Sequence, residues 1–159
     1  MKGECDAKKG ECDVNTIKRL LTKWLPEEQF DILVKCWTFP KVEEFWTHCG
    51  QHTELIKQTI QCRQWTHVTQ GLRDQLEAIW KHKDKILVAC ADGQGTHRSV
   101  SVAAASTQLC LKKGLLSRGP HHLCSENWKK KEICFECNHC KPNKEKEDMY
   151  DQLQHETAW

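Results

Sequence analysis

The segment of residues 85–106, KILVACADGQGTHRSVSVAAAS, constrains the fold more than any other part of the chain. Its beginning, Lys85–Cys90, is an apolar run with β-branched members, which predicts a buried strand. The alanine-rich run from Ser99 predicts a helix, and Gly114 stands where a helix C-cap is expected. A strand, a glycine-containing loop and a helix in succession predict an α/β domain with a small sheet.

The rest of the chain is predicted to extend this unit on both sides. With 159 residues, 38% of them hydrophobic, the chain fits one domain with tails. We divide it into a mobile tail (1–14), a helical region (15–82), the α/β region (83–141) and a charged tail (142–159). A second strand is predicted over Leu115–Leu123, although Gly119 and Pro120 interrupt it.

The helical region is predicted from apolar residues at helical spacing, and its tryptophans are expected to pack in the core. These residues are Ile17, Leu20, Leu21, Trp24, Phe30, Leu33, Val34, Val42, Phe45, Trp46, Leu55, Ile56, Ile60, Leu72, Leu76, Ile79 and Trp80.

Composition favours a reduced, intracellular protein. The apolar runs fall short of the roughly 18 residues of a membrane span, and Met1–Glu4 leads into charge rather than an apolar signal core. We therefore expect a cytoplasmic protein, with the nucleus or an organelle as alternatives. The eleven cysteines are an odd number, and without a secretory signal thiols or metal ligands are favoured over disulfides.

The loop between the predicted strand and helix has the residues of an oxyanion site. Backbone N–H groups at a helix N-terminus converge on one point, where the helix dipole adds partial positive charge. Glycines let the backbone approach a ligand, and Arg98 offers a planar fork of donors. The alternative is that Ser99 caps the helix and Arg98 pairs with Asp92. The predicted ligand-binding residues are Gly93, Gln94, Gly95, Thr96, His97, Arg98 and Ser99.

Two other phosphate-binding loops fit this segment poorly. A nucleotide-binding P-loop needs a lysine after its second glycine, and none follows here. The cysteine-phosphatase loop keeps five residues between its cysteine and its arginine, whereas seven separate Cys90 from Arg98. Cys90 is therefore a weak candidate for a nucleophile.

The stretch ILVACADGQGTHRSVSVAA resembles the signature of the RapZ C-terminal domain family, a strand followed by a cysteine, paired glycines and His-Arg-Ser-Val. The resemblance covers about residues 85–140, with His122 in GPHHLCSENW as the counterpart of a histidine in a later turn, and it departs by two additional residues before His-Arg-Ser. It implies an α/β domain that binds a phosphorylated ligand or RNA in the glycine loop; bacterial members bind an amino-sugar phosphate and a small RNA. The matched positions are Cys90, Gly93, Gly95, His97, Arg98, Ser99 and Val100.

A cysteine-rich segment near the C-terminus predicts a metal site. CFECNHC places Cys134, Cys137 and Cys140 at C-x2-C-x2-C, so that one turn of backbone can aim three sulfurs at a tetrahedral ion. The predicted fourth ligand is His122, with Cys124 or His139 as alternatives. We predict structural zinc; three free thiols and an iron–sulfur centre are the competing interpretations.

The segment before this motif is basic. Residues 112–131 carry six lysines and arginines against one acid, Glu126. Lys129, Lys130 and Lys131 are predicted to extend the anion contact along a phosphate backbone, and a solvated lysine surface is the alternative.

These features predict a non-catalytic module that binds RNA or a phosphorylated small molecule. One alternative is a phosphatase-like or phosphosugar-processing enzyme in which Cys90 or His97 acts on the phosphoryl group and Asp92 is the acid. Another is a structural subunit that docks onto a larger protein assembly through its amphipathic helices.

Overall fold

The computed structural model describes residues 15, 19, 30–41, 44–93, 96–123 and 125–156. Within them the fold is mixed α/β, with five α-helices and a two-stranded parallel sheet. The predicted tail 1–14, most of the first predicted helix, and the predicted site residues Gln94, Gly95 and Cys124 lie outside the described residues. The elements are β1 (Ile32–Lys35), α1 (Thr53–Gln61), α2 (Arg63–Ile79), β2 (Val88–Ala91), α3 (Arg98–Lys112), α4 (Glu126–Lys130) and α5 (Lys144–Glu156).

β1 corrects the prediction that the segment with Phe30, Leu33 and Val34 is helical. Phe30, Leu33 and Val34 have helical spacing, but Ile32 and Val34 are buried in alternation with less buried neighbours, as in a strand. β1 pairs in parallel with β2, with Ile32 opposite Val88. A short apolar run suits either a helix or a strand, and here the pairing with β2 makes it a strand.

The partner of the predicted strand also differs from expectation. β2 overlaps the strand predicted over Lys85–Cys90. The second predicted strand is absent, because the described residues between Leu115 and Leu123 form no strand and Leu116 is fully exposed. Gly119 and Pro120 explain this, since proline cannot donate to a ladder. The sheet is completed instead by β1, which precedes α1 and α2.

One face of the sheet packs against the main core. Ile32 and Val34, with Val88 and Cys90 beside them, face the main core. The predicted helices α1 and α2 are confirmed, and they contribute Ile56, Trp65, Leu72 and Leu76 to that core. α3 and α5 close it with Val102, Ala105, Leu109, Tyr150 and Leu153.

The predicted end of α3 is confirmed. Gly114 has φ +82°, and its amide donates to Leu111 O at 3.0 Å, while the Leu115 amide donates to Cys110 O at 2.9 Å. These two bonds form a Schellman motif, in which a left-handed residue satisfies the last carbonyls of the helix. No described helix is both long and apolar enough to cross a membrane.

The loop before α1 approaches the first turn of α3 at Gly50. The Gly50 amide donates to Thr96 O at 2.8 Å, and its carbonyl accepts from Ser101 Oγ at 2.7 Å. A Cβ added to Gly50 would lie 2.1 Å from His97 O and 2.8 Å from Ser101 N. Both of those atoms are backbone, so the contact accepts only glycine.

We expect Gly50→Ala to lower the free energy of unfolding by about 3 kcal/mol or more, because neither backbone atom can move without shifting α3. Gly71→Ala is the matched control: Gly71 lies inside α2 with nothing within 4 Å of its added Cβ, so alanine should raise stability by about 1 kcal/mol. Urea denaturation measures the free energy of unfolding of both variants. Equal effects of the two substitutions would contradict the close contact at Gly50.

Candidate metal centre

Four side chains from two distant segments form what we call the Cys/His cluster: His48, Cys134, Cys137 and Cys140. Their ligand atoms all lie within 4.8 Å of one another. His48 Nδ1 is 3.6 Å from Cys137 Sγ and 3.6 Å from Cys140 Sγ. The cluster is thus compact enough for all four atoms to contact one ion.

The distances agree with tetrahedral coordination. Bonds of about 2.3 Å to sulfur and about 2.0–2.1 Å to nitrogen, set at the tetrahedral angle, separate the nitrogen from each sulfur by about 3.6 Å. Both measured separations from His48 Nδ1 equal that value. These two pairs of ligand atoms therefore already have the spacing of tetrahedral coordination.

Backbone pairing brings the two segments together. His48 and Cys134 form an isolated parallel bridge. The Cys134 amide donates to Thr47 O at 2.7 Å, and the Cys49 amide donates to Cys134 O at 2.8 Å. The relative position of His48 and the cysteines is thus fixed by the main chain as well as by their side chains.

A strained turn presents His48. The predicted helical stripe through Phe45 and Trp46 is wrong, because these residues form a turn in which the His48 amide donates to Phe45 O at 2.8 Å. Phe45 has φ +59°, unusual for a residue with a large side chain, and its ring stacks on His52 with centroids 4.8 Å apart. Strain of this kind persists only where surrounding contacts hold it, and functional sites are where it is concentrated.

The cysteine segment folds as a tight turn around its sulfurs. The amides of Cys140 and Lys141 both donate to Cys137 O at 3.0 Å. Burial raises the pKa of the Cys137 thiol, but hydrogen bonds from its neighbours, Cys140 first among them, outweigh burial and leave that pKa lowered. Burial, together with the nearby thiol of Cys49, raises the pKa of Cys140. A divalent ion supplies the positive charge that lets several thiolates lie side by side.

Two further groups border the cluster. The fully buried thiol of Cys49 is hydrogen-bonded to Cys140, and burial raises its pKa. The ammonium of Lys146 donates to Cys140 O at 2.9 Å and to Lys141 O at 2.8 Å. Burial lowers the pKa of Lys146, and the neighbouring cysteines act in the opposite direction.

The predicted fourth ligand is corrected by this geometry. His122 is not in the cluster; its Nε2 is 3.0 Å from Gln51 Nε2, and its ring lies 5.4 Å from that of Trp128. His139 is exposed and lies 4.0 Å from Glu145 Oε2. The fourth member, His48, is 89 residues from Cys137 in the chain. Only the density of histidine and cysteine in THCGQH, residues 47–52, could have pointed to it.

The start of α3 carries its own anionic group. Asp92 Oδ2 accepts from the Ser99 amide at 3.0 Å, so a carboxylate already occupies the N-terminus of the helix. Arg98 Nε is 3.9 Å from that oxygen, and its guanidinium donates to Trp37 O and Phe39 O at 3.2 and 3.3 Å. The contact between Arg98 and Asp92 agrees with the alternative for Arg98, but the acceptor at the start of the helix is Asp92, where that alternative had Ser99 as the cap.

The residues proposed for catalysis are engaged in structural contacts. Cys90 packs against the main core, and its thiol is hydrogen-bonded to Cys36. The Asp92 side chain is only 2% exposed. His97 Nε2 donates to Trp46 O at 2.9 Å. These contacts favour a packing role for Cys90 and hydrogen-bonding roles for Asp92 and His97.

The predicted basic contact lies on the surface. Lys129, Lys130 and Lys131, at the end of α4, are all exposed. Trp46, which the sequence pattern assigned to the core, is 63% exposed. The exposed indole therefore belongs to the same turn that presents His48.

Comparison with known proteins finds no matching family model, no matching curated protein and no matching solved structure. The resemblance of the glycine loop to the RapZ C-terminal domain family therefore stays a prediction.

We expect Asp92→Ala to lower the free energy of unfolding by about 1–2 kcal/mol, because the Ser99 amide loses its acceptor. Asp92→Asn should cost less, since the amide oxygen can still accept. Asp84→Ala, at an exposed position between α2 and β2, is the control with the same change of charge. Thermal and urea unfolding give the stability of the three variants. If Asp92→Ala is no less stable than Asp84→Ala, Asp92 does not cap α3.

Proposed function

We propose that this protein is a zinc-binding module whose ion is structural and is held by the Cys/His cluster. The observation that carries the proposal is the pair of 3.6 Å distances from His48 Nδ1 to Cys137 Sγ and Cys140 Sγ, which suit tetrahedral zinc. Four protein ligands leave no open position for a substrate, and a closed site of this type is structural rather than catalytic.

The ligand set favours zinc over other ions. Three thiolates and one imidazole are soft and borderline donors, which calcium and magnesium do not select. An iron–sulfur cluster generally uses four thiolates, whereas this set has three and an imidazole. A tetrahedral set of three sulfurs and one nitrogen is typical of structural zinc.

The ion would stabilise a part of the chain that has little core of its own. The residues around α4 and the cysteine turn bury a small second cluster, which consists of Cys49, Val100, Trp128, Ile133 and Cys140. A core of this size stabilises a segment weakly, and small units commonly depend on a metal ion. Zinc would thus tie the cysteine turn to the loop before α1 and, through Gly50, to the start of α3.

We expect the protein to bind one zinc ion per chain, and His48→Ala to weaken that binding by about a hundredfold or more. The estimate assumes that each ligand contributes a similar share of the roughly 10–16 kcal/mol typical of structural zinc. His122→Ala is the matched control, because His122 lies outside the cluster and should leave affinity unchanged. Elemental analysis gives the stoichiometry, and competition with a chromogenic chelator gives the affinity.

The cobalt-substituted protein provides an independent measurement. Tetrahedral cobalt with three thiolate ligands should show charge-transfer and ligand-field bands that Cys137→Ser reduces. Purified protein with no zinc, or a loss of zinc in His122→Ala rather than in His48→Ala, would overturn the proposal.

We also propose, as a second candidate function, that the surface beside the start of α3 binds single-stranded RNA. The exposed indole of Trp46 favours it, because sequence-tolerant binding of single strands combines aromatic stacking with basic side chains. Trp128 of α4 packs in one cluster with Val100 of α3, so the lysines that end α4 border the same region. A phosphorylated small molecule is the alternative ligand. In either case the lysines at the end of α4, rather than Arg98, would contact the phosphate.

We expect replacement of Lys129, Lys130 and Lys131 by glutamate to weaken binding of single-stranded RNA by about tenfold or more at low salt, because contacts to phosphate are lost and repulsion is added. The control replaces Lys41, Lys81 and Lys144, which are also exposed, and changes the charge equally elsewhere. Fluorescence anisotropy at two salt concentrations, with a sugar phosphate as competitor, measures the affinities. Equal losses of RNA affinity in both triple variants would show that net charge alone, rather than these three lysines, determines binding. No binding of RNA by the wild type would overturn this candidate.

A further inference from the structure

Lys146 is a buried cation without a carboxylate partner among the described ion pairs. It lies in the first turn of α5 and is 5% exposed. Its ammonium donates to two carbonyl oxygens, Cys140 O at 2.9 Å and Lys141 O at 2.8 Å. Carbonyl groups satisfy its hydrogen bonds but supply no net negative charge, and a charge this far from water is costly unless an opposite charge compensates it.

A loaded metal centre would supply that charge. Three thiolates, one neutral imidazole and a divalent ion sum to a net charge of −1 (−3 + 2). One of the two carbonyls that hold Lys146 belongs to Cys140, itself a member of the Cys/His cluster. The cation is thus fixed to the backbone of the turn that carries the sulfurs.

We propose that Lys146 is the counter-ion of the metal centre and sets its affinity for a divalent ion bound by three thiolates. This inference rests on the proposed zinc site and adds a residue that acts on the ion without contacting it. Groups of this kind around metal ligands typically change metal affinity by about 10–100-fold when they are mutated.

Lys146 also connects the metal centre to the main core. α5 begins beside the cysteine turn, and farther along it Tyr150 and Leu153 are buried in the main core. Asn143 contributes to the same junction, since its Oδ1 accepts from the Lys146 amide at 3.0 Å and its Nδ2 donates to Asn138 O at 2.8 Å. Compensation of the charge on the centre would therefore also stabilise the docking of α5.

The test is a double-mutant cycle on the full chain, with zinc as the probe. We expect Lys146→Met to weaken zinc binding by about 10–100-fold and Lys146→Arg, which keeps the charge, by less than about threefold. Lys144→Met, at an exposed position in the same turn, is the matched control and should have no effect on zinc affinity.

Cys137→His provides the second background of the cycle. It converts the ligand set to two thiolates and two imidazoles, with a net charge of zero when loaded. In that background Lys146→Met should change zinc affinity less than about twofold, because no charge is left to compensate.

The outcomes separate three cases. Failure of the wild type to bind zinc overturns the metal site and this inference with it. Zinc binding by the wild type that Lys146→Met leaves unchanged overturns this inference alone. A loss that is equally large in the Cys137→His background assigns Lys146 a packing role and also overturns it. If Lys146→Met does not fold, as judged by circular dichroism, Lys146→Gln takes its place in the cycle, since the amide keeps a donor for Cys140 O without the charge.

Discussion

The loop of residues 47–50 contacts both the cysteine turn and the start of α3, and the arrangement of the C-terminal half depends on it. On one side its backbone pairs with Cys134; on the other, Gly50 lies against His97 O and Ser101 N at distances that no side chain permits. Backbone contacts of this kind are specific, because a shift of either segment by one residue would break several hydrogen bonds at once. The loop therefore couples the position of His48 to the position of α3.

A metal ion in the Cys/His cluster would strengthen this coupling. The second cluster of buried side chains is small and separate from the main core, and α3 contributes side chains to both. Burial raises the pKa values of Cys49 and Cys140, and thiolates placed this close together would repel one another. An ion would turn that repulsion into attraction, so the strength of the junction would depend on metal availability rather than on apolar area.

Local pattern predicted those parts of the fold that local interactions determine. The apolar run before Gly93 and the alanine-rich run after it identified β2 and α3, and Gly114 identified the end of α3 by its need for positive φ. The spacing of Cys134, Cys137 and Cys140 identified three members of the cluster, because one turn of backbone brings them together. The helix predicted at β1 was wrong, because the run of three apolar residues, 32–34, suits either a helix or a strand and only its pairing with β2 distinguishes the two. His48 could not be predicted by spacing, since 89 residues separate it from Cys137 and a tertiary backbone bridge makes them neighbours.

The glycine loop shows how one set of residues can fit two chemistries. Gly93, Arg98 and Ser99 suit a phosphate at a helix N-terminus, and the same residues suit a carboxylate supplied by the chain itself. Asp92 Oδ2 lies 3.0 Å from the Ser99 amide, so a phosphate at that point would have to displace a buried carboxylate whose repulsion it would also meet. Arg98 is held by two backbone carbonyls, and turning it toward a ligand would leave both without their donor. An anion that binds this protein therefore meets less opposition at the exposed lysines of α4 than at the start of α3, because those side chains can reach a ligand without breaking a buried contact.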